Sequence, residues 1–455
     1  MGPPAGTAGV SPWVRRPFTW YSSSAMRVSL AYGRDGLVVD LPDGTDVLAP
    51  RFVPGLSDEP TALAEALRGP IGSPPLRELV HAGATVVVVH TDITRPTPND
   101  RILPILLGEL EAAGVRRRDI TLLNGLGTHR RQTAAELRSL LGEAVARDYR
   151  CLQHDAFDDA GLVALGQTTL GHQVRVNRAY IEADVRVLTG FIEPHFFAGF
   201  SGGPKAVLPS LAGAESVFSN HGAAMIGHPN ATWGVTDGNP IWEEMREVAL
   251  ATRPTFLVNV ALNARRAITG VFAGDLLAAH REGCRLVAEN AMVAVDRPYD
   301  VVITTNSGYP LDQNLYQSVK GMSAAAQIVR AGGAVVAATA CADGLPEHGK
   351  YAALLARAGS PSAVLGMITE AGFAEHDQWT VQVQAQIQQR CEVHVRSDGL
   401  TDEQIRRALF LPCRSVEATV AALLERFGRD ARLAVLPEGP QTIPYIRSEP
   451  SAGRG

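Results

Sequence analysis

Four consecutive valines, Val86–Val89, run into His90 and then into the loop TDITRPTPND. A β-branched run this short, with no polar alternation, suits a strand covered on both faces, and such strands sit inside parallel sheets. Parallel neighbours are joined by crossovers, so helices must follow. Asp100–Ala113 reads as an amphipathic helix, with Pro104 in its first turn or kinking it. Ile120–Asn124 reads as the next strand and Thr133–Leu141 as the next helix, and Ala183–Leu188 and Phe256–Leu262 add two more strands. A second unit starts near Asp300. Its strands are expected at Val301–Thr305, Gly333–Ala338 and Arg432–Leu436, and its helices at Asn314–Gly321, Ala352–Arg357 and Val381–Gln389. Ahead of all this, Val28–Val47 reads as a hairpin and Pro60–Leu67 as a helix.

The expected fold class is therefore α/β: two α/β domains with largely parallel sheets and an active site in the cleft between them. The expected divisions are a tail at 1–25, a first domain at 26–292 and a second at 293–420. A closing segment at 421–445 is expected to pack back on the first domain, before a tail at 446–455. Met26, just ahead of the first strand-like run, is a candidate true start. A hydrophobic share of 45% with 20% charged residues supports real cores. A net charge of −5 without a long basic run speaks against nucleic acid as a partner. No apolar run approaches the roughly 18 residues of a membrane span. No apolar stretch comes after Arg15 and Arg16, which argues against a secretory signal. The five cysteines are scattered without CxxC spacing, so reduced thiols and a cytoplasmic location are expected.

Ligands of open parallel sheets bind beyond the carboxyl ends of the strands, so the residues just past each strand matter most. After the valines come Asp92 and Arg95, an arginine placed to clamp a carboxylate or phosphate, or to pair with Asp92 inside its own loop. After Ile120–Asn124 comes GLGTHR with His129, an acid–base candidate or a structural hydrogen-bonder. After Ala183–Leu188 comes EPHFFAGFSGGPK, with His195, Lys205 and the Ser201–Gly202–Gly203 stretch, whose amides suit a phosphate. His221 and His228 lack zinc-site spacing, and one imidazole serves a metal only if the other donors come from elsewhere. Gln317 and Lys320 share a helix face and suit a carboxylate, or simply solvent. Trp379 is a pocket wall or core, and composition favours core.

Taken together, DITRPTP at Asp92–Pro98, GTHR at Gly127–Arg130, EPHFFAGFSGGPKAVLP at Glu193–Pro209, SNHG at Ser219–Gly222 and YPLDQNLYQSVKGM at Tyr309–Met322 resemble the signature segments of the lactate racemase family. The likeness extends to AYGRDGLVVDLP at the start and AVLPEGPQTIPY at the end, so it spans about Val28 to Tyr445. The resemblance implies a cofactor, the nickel-pincer nucleotide: a pyridinium-3,5-bisthiocarboxylic acid mononucleotide whose two sulfur arms and ring carbon hold nickel. It implies Lys205 as the covalent tether, His221 as the nickel ligand, and His129 and His195 as the acid–base pair. Arg95, Gln317, Lys320 and Trp379 fall on substrate-contacting positions, and Asp92 on an orienting carboxylate. The implied reaction is racemisation or epimerisation of a small 2-hydroxy acid by reversible hydride transfer. The implied partners are that acid and the cofactor-making enzymes.

Two other readings remain at this point. A zinc metallohydrolase built on His129, His195 and His221 gives Lys205 no task. A cofactor-binding protein without turnover keeps Lys205 and His221 but has no need of both His129 and His195.

Overall fold

The computed structural model describes residues 25–346, 349–428 and 430–447. The expected tails fall on residues outside that set, except for Ala25, Ile446 and Arg447. Two six-stranded sheets organise the chain. The first runs in the order Ile268–Gly274, Phe256–Leu262, Val185–Phe191, Val86–Thr91, Ile120–Gly125 and Arg150–Gln153. All its pairings are parallel except that of the edge strand Ile268–Gly274. The second sheet is parallel throughout, in the order Leu411–Pro412, Glu392–Arg396, Val329–Ala338, Tyr299–Thr305, Leu433–Leu436 and Asp46–Val47.

The valine run behaves as its composition requires. Val86 and Val88 pack on one face of the first sheet, among Ile102, Leu103 and Leu106 of the Asn99–Ala112 helix. Val87 and Val89 turn the other way into the largest core, which continues into the second sheet through Val302, Val335 and Val393. Pro104 lies inside its helix, past the first turn, so the bond its amide would have made to the Asp100 carbonyl is forgone. Thr133 closes a reciprocal capping box with Glu136 and so fixes the start of the Ala134–Leu141 helix.

Chain order in the first sheet reverses between Val86–Thr91 and Val185–Phe191, which are neighbours. That is the switch point where loops diverge and leave a crevice. The two loops that diverge there carry Asp92 with Arg95 and His195 with Lys205.

The closing segment departs from the expected arrangement. Its Leu433–Leu436 strand, buried on both faces, needs two parallel neighbours and takes them from Tyr299–Thr305 and Asp46–Val47 of the second sheet. Only Ile443–Ile446 turns back, to pair with Met292–Val295 at the junction of the halves. The opening hairpin, Ala25–Leu30 with Leu37–Pro42, also joins the second half, with Val28, Leu30, Val39 and Leu41 packing on Val301, Ile303 and Val336. The 26–292 boundary therefore splits a unit whose first strands lie far away in sequence.

The Leu315–Ala326 helix, which bears Gln317 and Lys320, approaches the end of Tyr299–Thr305 closely at Gly321. A Cβ there would stand 1.9 Å from the Thr305 carbonyl oxygen. Gly321→Ala is accordingly expected to destabilise the protein by about 2–3 kcal/mol through overpacking. It should also push Lys320 outward. Thermal melting checks the first effect, and an unchanged Tm would show slack in this packing.

Candidate active site

Asp92 leaves the valine strand buried, and its Oδ2 lies 2.6 Å from His129 Nδ1. Its other oxygen accepts the Thr94 hydroxyl at 2.7 Å. Burial opposes ionisation of Asp92, but the His129 bond, the charges of His129 and Arg95 and the Thr94 bond outweigh it and hold the carboxyl below its ordinary range. His129 therefore has its ring oriented by an ionised carboxylate. Its loop is pinned by the Gly127 amide, which donates to the Ser210 carbonyl at 2.9 Å. The loop-internal ion pair of Asp92 with Arg95 does not form, and the Arg95 guanidinium has no hydrogen-bond partner among the described residues.

His195 stands on the short hairpin Pro194–His195 with Gly199–Phe200, packed between Phe196 and Phe197 at ring separations of 5.0 and 4.5 Å. The Ala198 amide donates to its Nδ1 at 3.3 Å, which turns Nε2 towards Lys205 Nζ, 3.4 Å away. Burial, and then the cations Lys205, Lys320 and Arg95, hold the His195 ring well below its ordinary pKa. Lys205 belongs to a 3-10 turn, Gly203–Ala206, beside the first sheet. Desolvation, with repulsion from Arg95 and Lys320, brings its amine down to about 7, against the pull of Glu193. Lys320 falls to about 8 from burial and from Arg95. Burial raises the Glu193 carboxyl in spite of the same three cations.

His221 comes directly after the Ala214–Asn220 helix, buried and edge-on to both Phe197 at 5.0 Å and Trp379 at 5.5 Å. Its Nδ1 meets Asn220 Oδ1 at 3.0 Å. The Asn220 amide nitrogen donates to Ile241 O and Glu244 Oε2, which fixes its oxygen as the acceptor. His221 therefore carries its proton on Nδ1 and keeps a lone pair on Nε2. Burial and Lys205 bring its pKa to about 3, so the ring is neutral. A neutral imidazole oriented through its other nitrogen is what a metal ligand requires.

The Ser201–Gly203 stretch is not laid out as an anion cradle. The Ser201 amide donates to the Glu193 carbonyl at 2.9 Å and the Gly203 amide to Asn259 Oδ1 at 2.8 Å. The Ser201 hydroxyl donates to the Phe191 carbonyl. The glycines answer a packing need: a Cβ on Gly202 would meet Asn259 at 2.5 Å and one on Gly203 would meet His280 at the same distance, both at positive φ. The three-histidine zinc reading also loses its footing. Among the described residues, no three His, Cys, Asp or Glu side chains are grouped to hold a metal ion.

Comparison with known proteins decides the kinship. Residues 32–234 match the lactate racemase N-terminal domain and residues 295–443 the lactate racemase C-terminal domain. The chain belongs to the lactate racemase family. The lactate racemase of Thermoanaerobacterium thermosaccharolyticum is 33% identical over 423 residues, covering 91% of this chain and 98% of that protein. That of Lactiplantibacillus plantarum is 36% identical over 387 residues, covering 84% and 90%. The structure of the T. thermosaccharolyticum apoprotein superposes with a TM-score of 0.86 at 32% identity, covering 93% of this chain and all of that one. Membership places the chain among the isomerases. No helix among the described residues is long and apolar enough to cross a membrane.

Gln317, Lys320 and Trp379 come from the second half of this lactate racemase relative. The side chains of Gln317 and Lys320 have no hydrogen-bond partner among the described residues. Trp379 is buried, yet its ring faces His221, and its Nε1–H donates to the Tyr316 hydroxyl at 3.1 Å. It is therefore a wall between core and site. Asn220, Tyr316 and His376 also shape the site without having been singled out from the sequence. The neighbours of His221 and Trp379 in SNHG and EHDQW were the available signal.

Proposed function

We propose that this chain interconverts the enantiomers of a small 2-hydroxy acid, lactate being the simplest, on a nickel-pincer nucleotide joined to Lys205. The observation carrying this reading is the Lys205 amine, partly buried, close to neutral, and 3.4 Å from His195. A half-neutral amine is a nucleophile poised for acylation, and an ordinary lysine is not.

The residues present fit the group. Lys205 would hold one of its thiocarboxyl arms as a thioamide, and His221 Nε2 would complete the coordination of a metal whose other donors belong to the nucleotide. Bound there, the nucleotide supplies a hydride acceptor, so the carbinol carbon loses and regains hydrogen without becoming a carbanion. Everything else falls to side chains. Arg95 and Lys320, two cations without partners among the described residues, hold the carboxylate, and Gln317 adds an amide on the same helix face. One histidine takes the hydroxyl proton from one antipode, and the other serves the mirror image. His129 does so with Asp92 stabilising its imidazolium. His195 does so from an apolar pocket whose nearest cation, Lys205, loses its charge once acylated. The cofactor-making enzymes would be the chain's partners, and the cytoplasm its place.

The test is co-expression with those enzymes, followed by three measurements on the full chain: intact mass, nickel content and loss of optical rotation from a single lactate enantiomer. The expected result is an adduct mapped to Lys205, about one nickel per chain and decay of rotation to zero. An unmodified lysine with full activity overturns the tether. Zinc in place of nickel overturns the metal assignment.

A further inference from the structure

The Gln378–Arg390 helix begins after Asp377, a non-glycine residue at φ +70. The Asp377 carboxylate accepts the Lys350 amide at 2.8 Å and the Tyr351 amide at 3.3 Å, and lies 2.9 Å from His376 Nδ1. The other nitrogen, His376 Nε2, is 3.2 Å from the hydroxyl oxygen of Thr128. Thr128 directly precedes His129, so this bond runs from the second half of the chain to the loop of an acid–base residue. The His376 ring is edge-on to Trp379 at 5.3 Å. One turn further, the Gln382 amide donates to the Ala223 carbonyl at 2.8 Å, just beyond His221. The start of this helix thus touches the segments that carry His129 and His221.

We propose that His376 is a positioning residue, which bonds Thr128 across the cleft and so keeps the two halves closed over the substrate. It does not act on substrate itself, because both ring nitrogens are engaged. His129, by contrast, has no partner on Nε2 among the described residues. Burial opposes the charge on Asp377, but the His376 bond and the two amides outweigh it and hold the carboxyl below its ordinary range. The ionised Asp377 carboxylate, 2.9 Å from Nδ1, favours the tautomer that carries the proton there, which leaves Nε2 to accept from the Thr128 hydroxyl. The contact is a latch set by geometry.

Closure and turnover separate in the test. The kinetic arm rests on the racemase reading, while a scattering arm does not. Full-length Thr128→Val, His376→Ala and the double variant would be examined by small-angle scattering without substrate. Each single variant should show a larger radius of gyration, and the double variant no further increase. In kinetics, KM for the hydroxy acid should rise by about 5- to 10-fold with kcat nearly unchanged, since one neutral hydrogen bond is lost and the closed fraction falls. The double variant should match the worse single one, as expected for two ends of one bond. His376→Gln, whose amide reaches Thr128, should restore KM to within about twofold. Unchanged scattering, strictly additive effects, or a fall in kcat at constant KM each overturn the latch. If the chain turns over no hydroxy acid, scattering alone decides, and the failure then belongs to the racemase reading.

Discussion

Lys205→Met protein should fold like its parent, carry no nucleotide after co-expression and racemise no faster than background, a loss of at least about 10⁶-fold. Methionine keeps most of the apolar stem that runs beside Phe197, where the amine lies 5.7 Å from the ring centre. The change therefore removes the nucleophile while sparing the packing. Arginine is a poorer control, because its charge would be permanent among Arg95 and Lys320. The same amine gives a pH test. Only neutral amine acylates, and an ordinary lysine, with pKa near 10.5, is almost wholly protonated at pH 7. With its pKa brought down to about 7 by burial and by the neighbouring cations, Lys205 is half neutral there. Acylation of cofactor-free protein by an activated ester, followed by peptide mapping, should rise through pH 7 and level off above about pH 8. Half-maximal labelling near pH 10 would sink the argument, as would full racemase activity in Lys205→Met.

The strands and helices that position this site were legible because their signals are local. A valine run, a capping threonine and a helical apolar stripe each carry their own physics. Long-range pairing does not. Nothing in RLAVL says whether it joins the first sheet or the second, and nothing in AYGRDGLVVDLP says that it packs against strands nearly three hundred residues away. The site divides along the same line. Residues at strand ends could be collected from the sequence because parallel sheets gather strand ends into one crevice. The Ser201–Gly203 stretch misled because a glycine required by close packing and a glycine required by an anion look alike in sequence. His376 and Asn220 were missed because each acts on a neighbour, and no residue type marks that role.

His129→Ala and His195→Ala should each lower racemisation by about 10²- to 10⁴-fold, the usual worth of general acid–base catalysis. A mechanism with one histidine per antipode suggests that each variant would spare one direction. Thermodynamics forbids that. The enantiomers have equal free energies, so kcat/KM must stay equal for both in any variant that still turns over. The two sites are better separated by access. The His129 side chain is 46% exposed, whereas His195 is 7% exposed and enclosed by Phe196 and Phe197. Added imidazole can enter the space left by the first and find Asp92 waiting to orient it. The space left by the second is walled by Phe196 and Phe197, so imidazole enters it less readily. Imidazole should therefore restore more of the activity of His129→Ala than of His195→Ala, with both antipodes regaining rate equally. Asp92→Asn in the His129→Ala background should abolish the rescue, because the carboxylate that would stabilise the bound imidazolium is gone. Stronger rescue of His195→Ala than of His129→Ala would overturn the access argument, and undiminished activity in either single variant would remove that histidine from the assigned role.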